Sequence, residues 1–187
     1  MTITTDLTNH FLIAMPRLYD PNFYHSVTLI CQHNEDGAMG VVFNRLHEVN
    51  FGEVLGYMEL EAESQQLTDL PVYIGGPVQP ERGFVLHEPM GNWQSTLPIS
   101  DTVAVTTSRD IIEAIAKGEG PEHYLIALGY AGWGAGQLEH EISENAWLSG
   151  PADKNIIFKT PCDDRWEAAA ALIGVDLTLL SGDAGHA

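Results

Sequence analysis

The 187-residue sequence predicts a single α+β domain of coiled, largely antiparallel sheets with about four helices packed around them. Three observations carry that expectation. Short runs rich in Val, Ile, Leu and Phe recur along the chain, each bounded by turn residues, as strands are. These runs do not alternate regularly with helical patterns, which separates α+β from a doubly wound α/β sheet. No internal repeat or low-complexity linker divides the chain, so residues 1–187 read as one unit.

The first strands are expected at His10–Met15, Ser26–Gln32 and Gly40–Phe43. Asn34-Glu-Asp-Gly37 joins the second to the third, because Asp-Gly supplies the positive φ of a tight turn. Asn50 then caps a helix, with Glu53 three residues on and Val54, Leu55 and Met58 on one face. Glu59–Gln66, the most polar segment, reads as a surface loop or frayed helix end. Val72–Ile74, Gly83–Leu86 and Thr102–Thr106 follow as strands, and Ser108 opens a helix whose Ile111, Ile112 and Ile115 turn inward. Tyr124–Leu128 is a further strand. Gln137–Trp147 carries Leu138, Ile142 and Ala146 at helical spacing, and Asn155–Phe158 reads as the last strand. A helix from Asp164 and Glu167 to Gly174 closes the pattern.

Charge restricts function most. Against 26 acidic residues stand 8 basic ones, a formal −18, and no two bases are adjacent. A duplex-binding surface commonly needs about 6–10 phosphate contacts, nearly every Arg and Lys in this chain. Direct nucleic-acid binding is disfavoured on that ground, as is an anionic membrane surface. The N-terminal stretch has no basic region followed by an apolar core, and no apolar run approaches membrane-spanning length, so a cytoplasmic protein is expected. Cys31 and Cys162 are too far apart for a zinc spacing and read as structural thiols. No cofactor is expected. A small ligand or a protein partner, of unknown identity, remains the open class.

Four places invite a functional reading. Gly132-Trp-Gly134-Ala-Gly136-Gln137 follows a strand and precedes a helix, yet it matches neither G-x-G-x-x-G nor a P-loop. Glu139, Glu141 and Glu144 in the following helix would repel a phosphate, so a nucleotide cradle is not the reading. The glycines are expected instead to hold Trp133 as a partly exposed aromatic platform beside Gln137 and Glu139; a buried core Trp is the alternative. His140 and Glu144 share a helix face at i,i+4, the spacing of two metal ligands, and a solvated acidic face explains the same letters.

His87, at a strand end after Gly75-Gly76-Pro77, is a candidate general base against the plainer reading of a structural histidine. Gly75 and Gly76 could present backbone N–H groups to an anion. Asn44-Arg45, just past a buried strand, offers a guanidinium to a carboxylate. The expected ligand site is a cleft of Asn44, Arg45, Gly75, Gly76, Trp133, Gln137 and Glu139, with no metal. The alternative is a hydrolase using His87 with Glu139 or Glu141, with or without the assistance of a metal. G-x-S-x-G is absent, so no nucleophile elbow is expected.

Several ordered motifs resemble the AlgH/YqgE family of bacterial proteins. They include His10-Phe-Leu-Ile-Ala-Met-Pro16, Asp20-Pro-Asn-Phe23, Gly37-Ala-Met-Gly40, Phe43-Asn-Arg45, Gly75-Gly-Pro77 and Arg82-Gly-Phe-Val-Leu-His87. The most specific is Gly129-Tyr-Ala-Gly-Trp-Gly-Ala-Gly-Gln-Leu-Glu139 with Trp147-Leu148, and the ending Gly185-His-Ala187 also fits. The resemblance implies an α+β domain of coiled, bifurcated sheets. It implies no catalytic residues. The family's name derives from a proposed regulatory role in exopolysaccharide gene expression, which the acidity of this chain makes indirect.

Overall fold

The computed structural model describes residues 5–180; the first four residues and the Gly185–Ala187 motif lie outside them. The described residues fold as a curled, largely antiparallel half-barrel of ten strands with helices on both faces. Strands β1 (His10–Ala14), β2 (Val27–Asn34) and β3 (Gly37–Val42) pair antiparallel in sequence. The Asn34–Gly37 turn forms as expected, with Gly37 at φ +135°. Short β4 (Leu46–Asn50) pairs with β5 (Pro71–Ile74). Helix α1 (Phe51–Tyr57) starts where Asn50 Oδ1 accepts the Glu53 N–H, and a four-residue α2 (Gln65–Thr68) follows.

The long β6 (Val78–Glu88) and β9 (His123–Gly134) hold the architecture together. The first half of β9 lies between β6, antiparallel, and β5, parallel. Its second half leaves β5 and pairs with β3, Gly37 opposite Gly134 and Gly40 opposite Ala131, while Tyr130 still pairs with Val78 at the start of β6. One strand therefore serves two sheets. Beyond β6 come β8 (Ala104–Thr106) and β7 (Thr96–Pro98), and β10 (Trp147–Pro151) flanks β1.

The transfer of β9 between sheets depends on missing side chains. A Cβ at Gly75 would strike the Gly129 carbonyl, one at Gly76 the Tyr130 backbone, and one at Gly129 the Gly76 carbonyl. Gly75 N–H donates to Leu128 O and Gly75 O accepts from Val42 N–H, both at 2.8 Å, stitching the sheets at that point. Gly129 sits at φ +81°, a left-handed conformation that side chains disfavour.

Alternation along the strands fills three cores. Inside the curl, Phe11, Leu29, Val41, Phe84 and Leu86 pack beneath α5 (Lys154–Phe158), α6 (Arg165–Leu172) and α7 (Leu177–Leu180). Arg165 is buried there: it donates to Phe43 O at 2.6 Å and Thr160 O at 3.0 Å and stacks on Tyr73. Outside one sheet, Val85 and Ile126 meet α1 and α3 (Arg109–Ala116). Outside the other, Leu12, Ile30 and Trp133 meet Leu138 of α4 (Gln137–Ser143).

Two elements differ from expectation. Asn155–Phe158 is helical, not a strand: Asp153 Oδ1 accepts the Asn155 N–H and caps a turn that the apolar letters alone left ambiguous. The expected Gln137–Trp147 helix stops at Ser143, where Asn145 turns left-handed (φ 62°) and Trp147 begins β10. Among the described residues, no helix is long and apolar enough to cross a membrane.

Gly129→Ala should cost about 3 kcal/mol or more, combining left-handed strain of about 1–2 kcal/mol with backbone overpacking of similar size. Gly136 is also left-handed (φ 75°), but open space surrounds its missing Cβ. Gly136→Ala should therefore cost only about 1–2 kcal/mol. Urea unfolding midpoints separate the two.

Candidate functional site

The expected glycine loop is mostly strand. Gly129–Gly134 continues β9, so alternate residues face opposite ways: Ala131 and Trp133 turn inward while Gly132 and Gly134 stay exposed. Trp133 is 6% exposed, which overturns the platform expectation. Its ring packs against Phe23 and, edge to face, against Trp147 at 6.0 Å. Glu141 Oε1 accepts from both Trp133 Nε1 and Trp147 Nε1 at 3.0 Å, and Oε2 accepts from Gln137 Nε2 at 2.8 Å. Gln137 Oε1 in turn accepts the Gly134 N–H. Glu141 and Gln137 thus clamp two indoles and a helix start, and neither is poised for chemistry.

Glu139 does meet a histidine, but not His87. His33 Nδ1 accepts the Leu7 N–H at 3.0 Å, so its Nε2–H donates to Glu139 Oε2 at 3.2 Å. Both ring nitrogens are occupied and the ring is buried, leaving no free base. His140 and Glu144 lie 4.0 Å apart on an exposed face, and among the described residues no third metal-ligating side chain joins them.

His87 is fully buried. Pro89 O can only accept, so Nδ1–H donates to it at 3.0 Å, and Nε2 accepts from Thr106 Oγ1 at 2.7 Å. Burial holds its pKa below the ordinary histidine value, only partly offset by the Pro89 bond. The expected partnership of His87 with Glu139 or Glu141 is absent, because those carboxylates serve His33 and the indoles on the other sheet.

The seven-residue cleft does not assemble either. Asn44 accepts the Val27 N–H and donates to His25 O, closing the start of β2. Arg45 donates to Pro21 O at 2.9 Å instead of clamping a carboxylate. Asn44 lies beyond the end of β3 at Val42, whereas Ala38, the partner of Trp133 in the ladder, lies near its start. Gly75 and Gly76 are buried in the seam, and the Gly75 N–H is engaged by Leu128 O, so they offer no anion nest there.

What the structure does present is a pocket of about 420 Å³ on the outer face of the other sheet. Val85, Ile126 and Leu128 form its floor, with Val54 of α1, the adjoining Met58 and Ile112 of α3 as walls. Polar groups enter at the rim, from His47 and Glu81 and from the Thr106–Arg109 segment that opens α3. Tyr57, 87% exposed, stands at its edge. Gly83 lies on the same strand face as Val85, opposite Leu128. A Cβ there would find no heavy atom within 4 Å, so the missing side chain leaves the floor open. The signal in the sequence was a glycine at position 83, two residues before Val85 on the same strand face.

Together these features define a class: a single α+β half-barrel with an apolar pocket beside a two-sheet seam. The AlgH-like family model matches residues 11–178, and the chain belongs to that family. It is 60% identical to a UPF0301 protein of Thioalkalivibrio sulfidiphilus across the whole of both chains. A UPF0301 protein of Methylococcus capsulatus is 57% identical over 180 residues, 96% of each chain. The solution structure of the AlgH protein from Pseudomonas aeruginosa is similar at 51% identity and TM-score 0.81, over 100% of this chain and 99% of that one. A crystal structure from Corynebacterium diphtheriae, 21% identical, shares the fold with TM-score 0.73 over 97% of this chain and 94% of that one.

Trp133→Ala should lose about 3–5 kcal/mol in denaturant unfolding, as a large core truncation does. His87 gives a pH dependence. Unfolded, an imidazole titrates near 6.5; folded, His87 accepts its proton only at lower pH. Its contribution to stability is therefore complete above about pH 6.5 and is lost as pH falls through the folded value. His25, also lowered by burial, acts in the same direction. The loss of stability between about pH 7 and pH 5 should be shallower in His87→Gln than in the wild type.

Proposed function

We propose that this protein is a ligand-binding regulatory module whose site is the pocket between α1, α3 and the outer face of β6 and β9. The observation that carries the reading is the open apolar floor at Gly83. Pockets of a few hundred Å³, lined by apolar side chains with a few polar groups at one side, are the usual form of small-molecule sites. Six structural elements converge on this one, so a ligand would touch parts of the chain far apart in sequence. That is what a module needs if occupancy is to change its behaviour.

A role in gene expression, as the family's name connotes, would then be indirect. The −18 charge opposes contact with nucleic acid, and a protein partner reading the occupied state fits it better. A hydrolase acting through His87 draws no support from the geometry, since its ring is enclosed and bonded to Thr106 and Pro89.

Gly83→Val tests the site directly. Gly83 has no left-handed φ, so valine suits this strand and should leave unliganded stability unchanged or raise it by about 0.5–1 kcal/mol. In a metabolite screen by thermal shift, a ligand at a hundred times its Kd should stabilise the wild type by about 2.7 kcal/mol and Gly83→Val by far less. A ligand that stabilises both equally places the site elsewhere.

A further inference from the structure

The charges around the pocket narrow what it can hold, provided the pocket is the binding site, and the inference rests on that reading. Its lining contains a single guanidinium, Arg109, the natural candidate to fix an anionic head. That group is already committed. Its Nη2 donates to Met58 O at 2.8 Å, and its Nε lies 3.8 Å from Glu113 Oε2. The other formally charged lining residue is the exposed Glu81. Asp110 adds a further carboxylate on the same turn as Arg109, accepting from Gln94 N–H and Ser108 Oγ.

The hydroxyls are similarly arranged. Thr106 donates to His87, and Ser108 donates to Asp110 while accepting from Ser95 N–H. Thr107 Oγ1 accepts from Arg82 and keeps its own proton to donate. His47 Nδ1 accepts the Val49 N–H, which leaves the proton on Nε2. The wall thus offers two uncharged donors, Thr107 O–H and His47 Nε2–H, beside a compensated cation.

We infer that the pocket takes an uncharged, largely apolar small molecule carrying one hydroxyl or carbonyl oxygen. An ion drawn from water into an apolar site without its own counter-charge is strongly disfavoured. The −18 charge of the chain further lowers the local concentration of anions. The oxygen of the ligand accepts from Thr107 or His47 while its carbon body covers the half-buried Val54, Met58 and Leu128.

Matched ten-carbon probes test this: 1-decanol, decanoate and decyltrimethylammonium, titrated calorimetrically below their micellar concentrations into wild type, Gly83→Val and Arg109→Gln. Decanol should bind at least about tenfold more tightly than either ion, the affinity should vanish in Gly83→Val and survive in Arg109→Gln. Decanoate or the ammonium matching decanol, with loss in Gly83→Val, overturns the charge class but leaves the pocket as the site. Decanol affinity that disappears in Arg109→Gln also overturns it. Failure of all three probes to bind, or decanol binding untouched by Gly83→Val, overturns the inference and the pocket reading together.

Discussion

The close backbone crossing of Gly75-Gly76 over Gly129-Tyr130 is the constraint on which the rest of this molecule depends. There β9 leaves β5 and the body of β6 and joins β3, and a Cβ at Gly75, Gly76 or Gly129 would have no room. Both sheets acquire their outer faces from that transfer. On one face α1 and α3 cover Val85 and Ile126; on the other α4 covers Ile30 and Trp133. The curl between them encloses the central core, closed by the C-terminal helices and the buried Arg165. Without the crossing there would be two unrelated sheets, each with an unprotected edge.

Polar residues that look functional in a linear reading are largely consumed by this architecture. Glu141 holds two indole N–H groups that would otherwise be buried without partners. Glu139 secures His33, which in turn receives the backbone of Leu7. Asn44 completes the start of β2. Each is a strongly patterned residue because a buried donor or acceptor has to be satisfied at that place, not because a substrate has to be bound there. The floor of the pocket lies where the letters are plain: Val, Ile, Leu, and one glycine.

Much of the fold was legible because its signals are local. Apolar runs at β1, β2 and β6, the Asn34–Gly37 turn and the Asn50 cap each announce themselves within a few residues. The four residues of Asn155–Phe158 were too few to distinguish a period of two from 3.6, and the Asp153 cap decided the outcome. The glycine run was misjudged for a physical reason. Glycine has little intrinsic strand preference, so pairing with distant strands, Ala131–Gly134 with β3 and Tyr130 with Val78 of β6, makes this stretch extended. The site was less legible than the fold, because convergence is tertiary. His47, Gly83 and Arg109 share a pocket without any sequence spacing that would associate them.

The sharing of β9 has a consequence for how the molecule comes apart. Many two-sheet proteins can open one layer while the other persists, since each sheet owns its strands. Here the two ladders are successive stretches of a single strand, so loosening either end removes an anchor from the other. Partial opening therefore merges with global unfolding along β9, whereas the peripheral strands β4 and β7 can fray alone. The domain behaves as one cooperative unit although its hydrophobic interior is divided into three.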